Sequence, residues 1–91
     1  MRKFIVERAL PQIGSAEGEE LKAVARSFNT TLRKLGSEIQ WVQSYVSRDK
    51  TFCVFYAPDE DTLRDYMTRT GFPADSITEI HTMIDPSTRA T

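Results

Sequence analysis

Cysteine and histidine are almost missing from this chain, which has one of each, Cys53 and His81. A lone cysteine excludes an intramolecular disulfide, and no CxxC pair is present for zinc or redox chemistry. Glycine and proline are scarce, with four of each. Gly14, Gly36 and Gly71 fall where turns or helix ends are expected, which leaves no glycine-rich phosphate loop. GxSxG, HExxH and EF-hand patterns are likewise absent, so no catalytic residue is assigned by motif. An excess of charge of one sign is lacking: 12 basic residues face 13 acidic ones, for a net charge of −1. Without a basic stripe, duplex nucleic acid is not an expected partner. Long apolar runs are missing too. The N-terminal run is too short for a signal sequence and no later segment approaches membrane-spanning length, so no membrane association and a cytoplasmic location are expected.

What is present is a single small domain. Ninety-one residues bury roughly 60–65% of their unfolded surface, a modest core that association would reinforce. Residues 1–86 read as that domain and 87–91 as a loose tail.

Lys3 to Arg8 reads as a first strand, ended by Pro11 and Gly14. A helix over 16–35 follows, with Ser15 as cap and Glu17, Glu19 and Glu20 near the positive end of its dipole. Leu21, Val24, Ala25, Phe28, Leu32 and Leu35 form its apolar stripe, and Gly36 suits its left-handed C-terminal position. A hairpin over 39–57 comes next, turning around Ser47 to Lys50. A second helix over 59–70 has Asp59 as cap, Leu63, Tyr66 and Met67 inward, and Gly71 and Pro73 as its end. Ile77 to Ile84 reads as the last strand, stopped by Pro86. The order is βαββαβ, the α+β ferredoxin-like arrangement: a four-stranded antiparallel sheet with both helices on one face.

The hairpin is apolar on both faces. Ile39, Trp41 and Tyr45 line one side of its first strand and Val42 and Val46 the other. Phe52, Val54 and Tyr56 oppose Cys53, Phe55 and Ala57 in its second. A sheet with one wet face alternates apolar with polar. The helices cover one face only, so the other is expected to meet a second copy of the chain. The open face projects to about 350 Å² from strand spacing and length, which a monomer tolerates; its aromatics are what favour a homodimer.

Few residues carry chemistry. His81 and Glu79, two apart on one strand, share a face and suit one bound ion or one substrate proton; they equally suit a solvated edge pair. Glu7 and Arg8 point to opposite faces, so one of them turns inward and needs a partner. Gln43, between Trp41 and Tyr45, could orient a ligand or hydrogen-bond in a core. Tyr66 reads as core with a hydroxyl to satisfy. Cys53 reads as a small buried thiol.

The stretches Phe4-Ile-Val-Glu-Arg8, Trp41-Val-Gln-Ser-Tyr-Val46, Asp49 to Pro58, Gly71-Phe-Pro73 with Ile77, and Ile84-Asp-Pro86 together resemble a bacterial family. It comprises small ferredoxin-like proteins of uncharacterised function that include a nickel-binding protein. The resemblance spans most of residues 3 to 86. It implies the ferredoxin-like fold, dimerisation and, in some members, binding of nickel or another divalent metal. The family pattern Trp-x-His-Ser-Tyr has Gln43 at its histidine here, and Asp65-Tyr-Met67 stands for its Glu-His-Ala. Two imidazoles, good nickel ligands, are thus replaced.

Three readings follow. The first is a dimeric binding module for a small ligand, through Trp41, Gln43, Tyr45, Tyr66 and Glu79, or for a metal ion, through His81, Glu7 and Cys53. The second is a dimeric α/β-barrel-type enzyme acting on a small organic molecule with Tyr45, Glu79 and His81. The third is a self-association domain. A pocket lined by Trp41, Gln43 and Tyr66 would favour the small-molecule readings, and a filled core the last.

Overall fold

A computed structural model describes residues 1–11, 13–15, 18–35, 38–71 and 74–88. The expected cap role of Glu17 and the roles of Gly36 and Pro73 lie outside the described residues, as do those of the Ser15, Phe28, Leu32 and Leu35 side chains and of tail residues 89–91. Four strands, β1 (Arg2–Ala9), β2 (Gln40–Val46), β3 (Lys50–Ala57) and β4 (Ser76–Ile80), alternate with two helices, α1 (Gly18–Leu35) and α2 (Glu60–Arg69). The sheet is antiparallel in the order β2-β3-β1-β4. This is the ferredoxin-like α+β arrangement. No helix among the described residues is long and apolar enough to cross a membrane.

The helices lie against the face that carries Phe4, Val6, Cys53, Phe55 and Ala57, all buried. From α2, Leu63, Tyr66 and Met67 close over these residues. Phe55 and Tyr66 meet edge to face, with centroids 5.6 Å apart at 69°, the geometry that ring quadrupoles favour. Among the described residues no α1 side chain is fully buried; Val24 packs partly and Leu21 is exposed. Among the described side chains, those of α2 supply the buried helix contribution to the core, and Val24 of α1 packs against it in part.

Two departures from the sequence reading have physical causes. The last strand ends at Ile80, not Ile84, because Ile80 already pairs with Lys3 and β1 begins at Arg2. Beyond that point no neighbour strand offers hydrogen bonds, and Met83 and Ile84 are exposed. In β2, Trp41 pairs with Phe55 but Gln43 with Val54. Val42 is therefore the extra residue of a bulge, and the alternation changes phase across it. Trp41, Ser44 and Val46 share the helix-covered face, while Gln43 and Tyr45 look out on the open one. A strand apolar on both faces carries no phase signal, and bulges are common on edge strands such as β2.

The caps of α2 agree with expectation. The Asp59 carboxylate accepts from the Thr62 N–H at 2.7 Å, and Gly71, at φ +80°, takes the left-handed position after the helix. Accepting the Thr62 backbone N–H holds the Asp59 carboxyl below its ordinary value of 3.8. A carboxylate depressed in the folded state stabilises fully above the unfolded value and loses that contribution as pH falls through the folded one. Thermal melts below pH 3.8 are therefore expected to show a steeper acid loss in the wild type than in Asp59→Asn, which keeps the cap oxygen but cannot titrate. Equal acid slopes would rule out this contribution.

Candidate functional site

Between α1 and the sheet lies a cavity of about 200 Å³. Its floor is built from cross-strand rows. Cys53 and Ser44 face one another in one row, and Arg8, Thr51 and Val46 form the next. Leu21, Val24 and Ala25 of α1 roof it. The segment after β1 supplies an end wall with Leu10 and Ile13. It is pinned to the hairpin tip by the Leu10 N–H to Asp49 carbonyl bond at 2.7 Å and the Gly14 N–H to Arg48 carbonyl bond at 3.0 Å. A Cβ on Gly14 would come within 2.8 Å of the Arg48 backbone, so glycine permits this close approach.

At the β2 side the Trp41 indole N–H donates to Ser44 Oγ at 3.0 Å, and the Ser44 hydroxyl donates to Cys53 Sγ at 2.7 Å. With its N–H so engaged, the indole offers the cavity an apolar wall. Burial pushes the Cys53 thiol above its ordinary value, against the opposing hydrogen bonds from Ser44 and Thr51. The thiol is thus protonated at neutral pH and is a poor nucleophile. Arg8 is the inward member of the Glu7–Arg8 pair. Burial lowers its guanidinium from the ordinary value, while the charge of Asp75 opposes that shift. An arginine stays protonated through such a shift.

The other candidate residues lie elsewhere. Gln43 donates to the Tyr45 hydroxyl on the open face. Tyr66 is buried in the core beneath the opposite face, its hydroxyl shifted upward by burial. The two positions that the resemblance marked for histidine are therefore separated by the sheet. Glu79 is held by Arg2 through two hydrogen bonds of 2.8 and 2.9 Å, and this pairing lowers its pKa. His81 is exposed just beyond β4. Glu7 lies on the open face with Lys50 at 3.9 Å and Ser76 at 3.3 Å, across the sheet from Cys53. Of the eight ligand and metal candidates, only Trp41 and Cys53 line the cavity. Arg8, Ser44 and Thr51 join them there. The inward charge was legible in Glu7-Arg8; Ser44 and Thr51 gave no signal, because only the bulge and the register bring them under α1.

Against this geometry stand the comparisons. The family model described as "Nickel responsive protein SCO4226-like" matches residues 4–80. The chain belongs to this family. Among solved structures, one described as "Crystal structure analysis of SCO4226 from Streptomyces coelicolor A3(2)" superposes with a TM-score of 0.76 at 14% identity. It covers 90% of this chain and 99% of that one. At that identity the likeness speaks for the fold. No curated protein matches the chain.

The nickel response in the family's description invites a test of the SCO4226-like chain's donors. Tight nickel sites want imidazole or thiolate donors in a converging set. Among the described residues no group of three or more His, Cys, Asp or Glu side chains comes together. Cys53 is buried and protonated, and the Glu79 carboxylate, two residues from His81, is paired with Arg2. The donors described within one chain do not fit such a site.

Proposed function

We propose that this SCO4226-like chain is a small homodimeric binding module whose ligand enters the cavity between α1 and the sheet. The observation that carries the reading is the cavity itself. A dry cavity of about 150 Å³ already accepts benzene, and this one is larger, about 200 Å³, and mostly apolar in lining. Catalysis by Tyr45, Glu79 and His81 is disfavoured: Tyr45 lies on one edge strand, and Glu79 and His81 lie on and beside the other. Self-association is supported by the open sheet face, where Tyr45 is exposed and Phe52 and Tyr56 are half-buried. The cytoplasm remains the expected compartment.

Calorimetry of tag-free protein tests the choice of ligand. Nickel is expected to bind at about 10 µM or weaker, whereas toluene should bind and alter the emission of Trp41, the chain's only tryptophan. A submicromolar nickel site abolished by His81→Ala, together with no response to toluene, would overturn the reading.

A further inference from the structure

The geometry points to a copper(I) site in an open recess at the end of the sheet, held by the thioethers of Met1 and Met83 and the imidazole of His81. It lies apart from the cavity under α1 and does not depend on it.

The topology brings these residues together. β1 begins at Arg2 and β4 ends at Ile80, and Lys3 stands opposite Ile80 in antiparallel register. The residue before β1 therefore lies beside those that follow β4. Met1, His81 and Met83 all line the recess formed there. The chain has one histidine and three methionines. Met67 is buried in the core, whereas Met1 and Met83 are each 70% exposed. A single exposed apolar side chain is ordinary. Here both exposed thioethers border the recess that holds the sole imidazole.

The donor set decides the ion. Glu79 is the one carboxylate among the described lining residues, and Arg2 holds it through two hydrogen bonds. The donors that remain for a metal are two thioethers and an imidazole. Thioether sulfur is soft and polarisable and selects copper(I), and imidazole suits copper as well. Harder divalent ions find no carboxylate or thiolate to add to the one imidazole. Charge argues the same way. Arg2 and Glu79 offset one another, and Lys3 also lines the recess. Repulsion from an ammonium scales with the charge of the ion, so a monovalent ion meets half the repulsion that a divalent one does. Cys53, the chain's one thiol, is buried on the helix-covered face and does not reach this recess.

The test is an anaerobic titration of the whole chain with copper(I), supplied as its acetonitrile complex and followed by nuclear magnetic resonance of methyl-labelled methionines. The Met1 and Met83 methyls and the His81 ring are expected to shift with one saturating profile at one copper per chain, while the Met67 methyl stays in place. Losing only an outer partner of a metal ligand costs about 10–100-fold in affinity. Met83→Leu and His81→Ala each remove a ligand itself, so each is expected to weaken binding at least about tenfold in competition with a chromogenic copper(I) chelator. Both positions are exposed, so both variants should fold, which circular dichroism checks. Nickel(II) is expected to leave the methionine methyls unmoved. Methyls that stay in place on addition of copper(I) would overturn the site. Shifts centred on Ser44 and Cys53 would overturn it too, since they would put the copper on the thiol. Unchanged affinity in either variant would remove that residue as a ligand and with it the three-donor site. Nickel moving the same methyls would overturn the selectivity for a soft monovalent ion.

Discussion

Replacing Phe55 with alanine is expected to destabilise the domain by about 3–5 kcal/mol, the range for large-to-small changes at a well-packed aromatic site. Phe55 is 0% exposed. It lies centrally in the helix-covered face, between Phe4 of β1 and Trp41 of β2 in register, and its ring meets Tyr66 of α2. Removing it opens a void bordered by two strands and a helix at once. A domain of this length has about 5–14 kcal/mol in total, so the loss is a large share of it. The midpoint of thermal unfolding, followed by circular dichroism, should fall by about 12 °C or more, since 1 kcal/mol corresponds to roughly 4–8 °C at this size. Asn29→Ala, on the exposed side of α1, should move it little, as surface changes do. A Phe55→Ala midpoint within about 4 °C of wild type would place the core elsewhere.

The second large effect is expected at the open sheet face. Tyr45→Lys should convert the proposed dimer to a monomer without unfolding the chain. Tyr45 is 59% exposed in the single chain, so a lysine there costs the monomer little. Pressed against a second copy, the same ammonium would lose its water without an assured partner, a cost of several kcal/mol and so more than about a hundredfold in dissociation constant. Phe52, opposite Tyr45 in register, and Val54, opposite Gln43, would share that contact. Light scattering at tens of micromolar should give a dimer mass for wild type and a monomer mass for Tyr45→Lys, with unchanged circular dichroism. A monomer mass for the wild type would contradict the dimer outright. Identical dimer masses for both would move the interface off this face.

How far the sequence reveals this arrangement varies by element. Asp59 and Gly71 marked the ends of α2 because capping is local chemistry, read within four residues. The strand and helix order followed from periodicity and turn residues, and the family resemblance agreed with it. The end of β4 could not be read, because Thr82 and Ile84 continue a strand pattern while the strand stops where β1 supplies no more partners. The bulge at Val42 was hidden for a different reason: with apolar side chains on both faces of the hairpin, a slip of one residue leaves the pattern unchanged. That slip separates Trp41 from Gln43 and Tyr45, which an unbroken alternation would group. The cavity was equally silent, since neither the α1 stripe nor the strand pattern says how closely Leu21, Val24 and Ala25 meet the sheet.

Trp41 and Gln43 therefore give the sharpest discrimination, being two residues apart and on opposite faces. An amide-resolved nuclear magnetic resonance titration with toluene uses that contrast. If the cavity under α1 holds the ligand, the indole N–H of Trp41 and the backbone amides of Ser44, Thr51 and Cys53 should shift with one saturating profile, while the side-chain amide of Gln43 stays in place. Shifts centred on Gln43 and Tyr45, or no saturating shift at the indole, would contradict it.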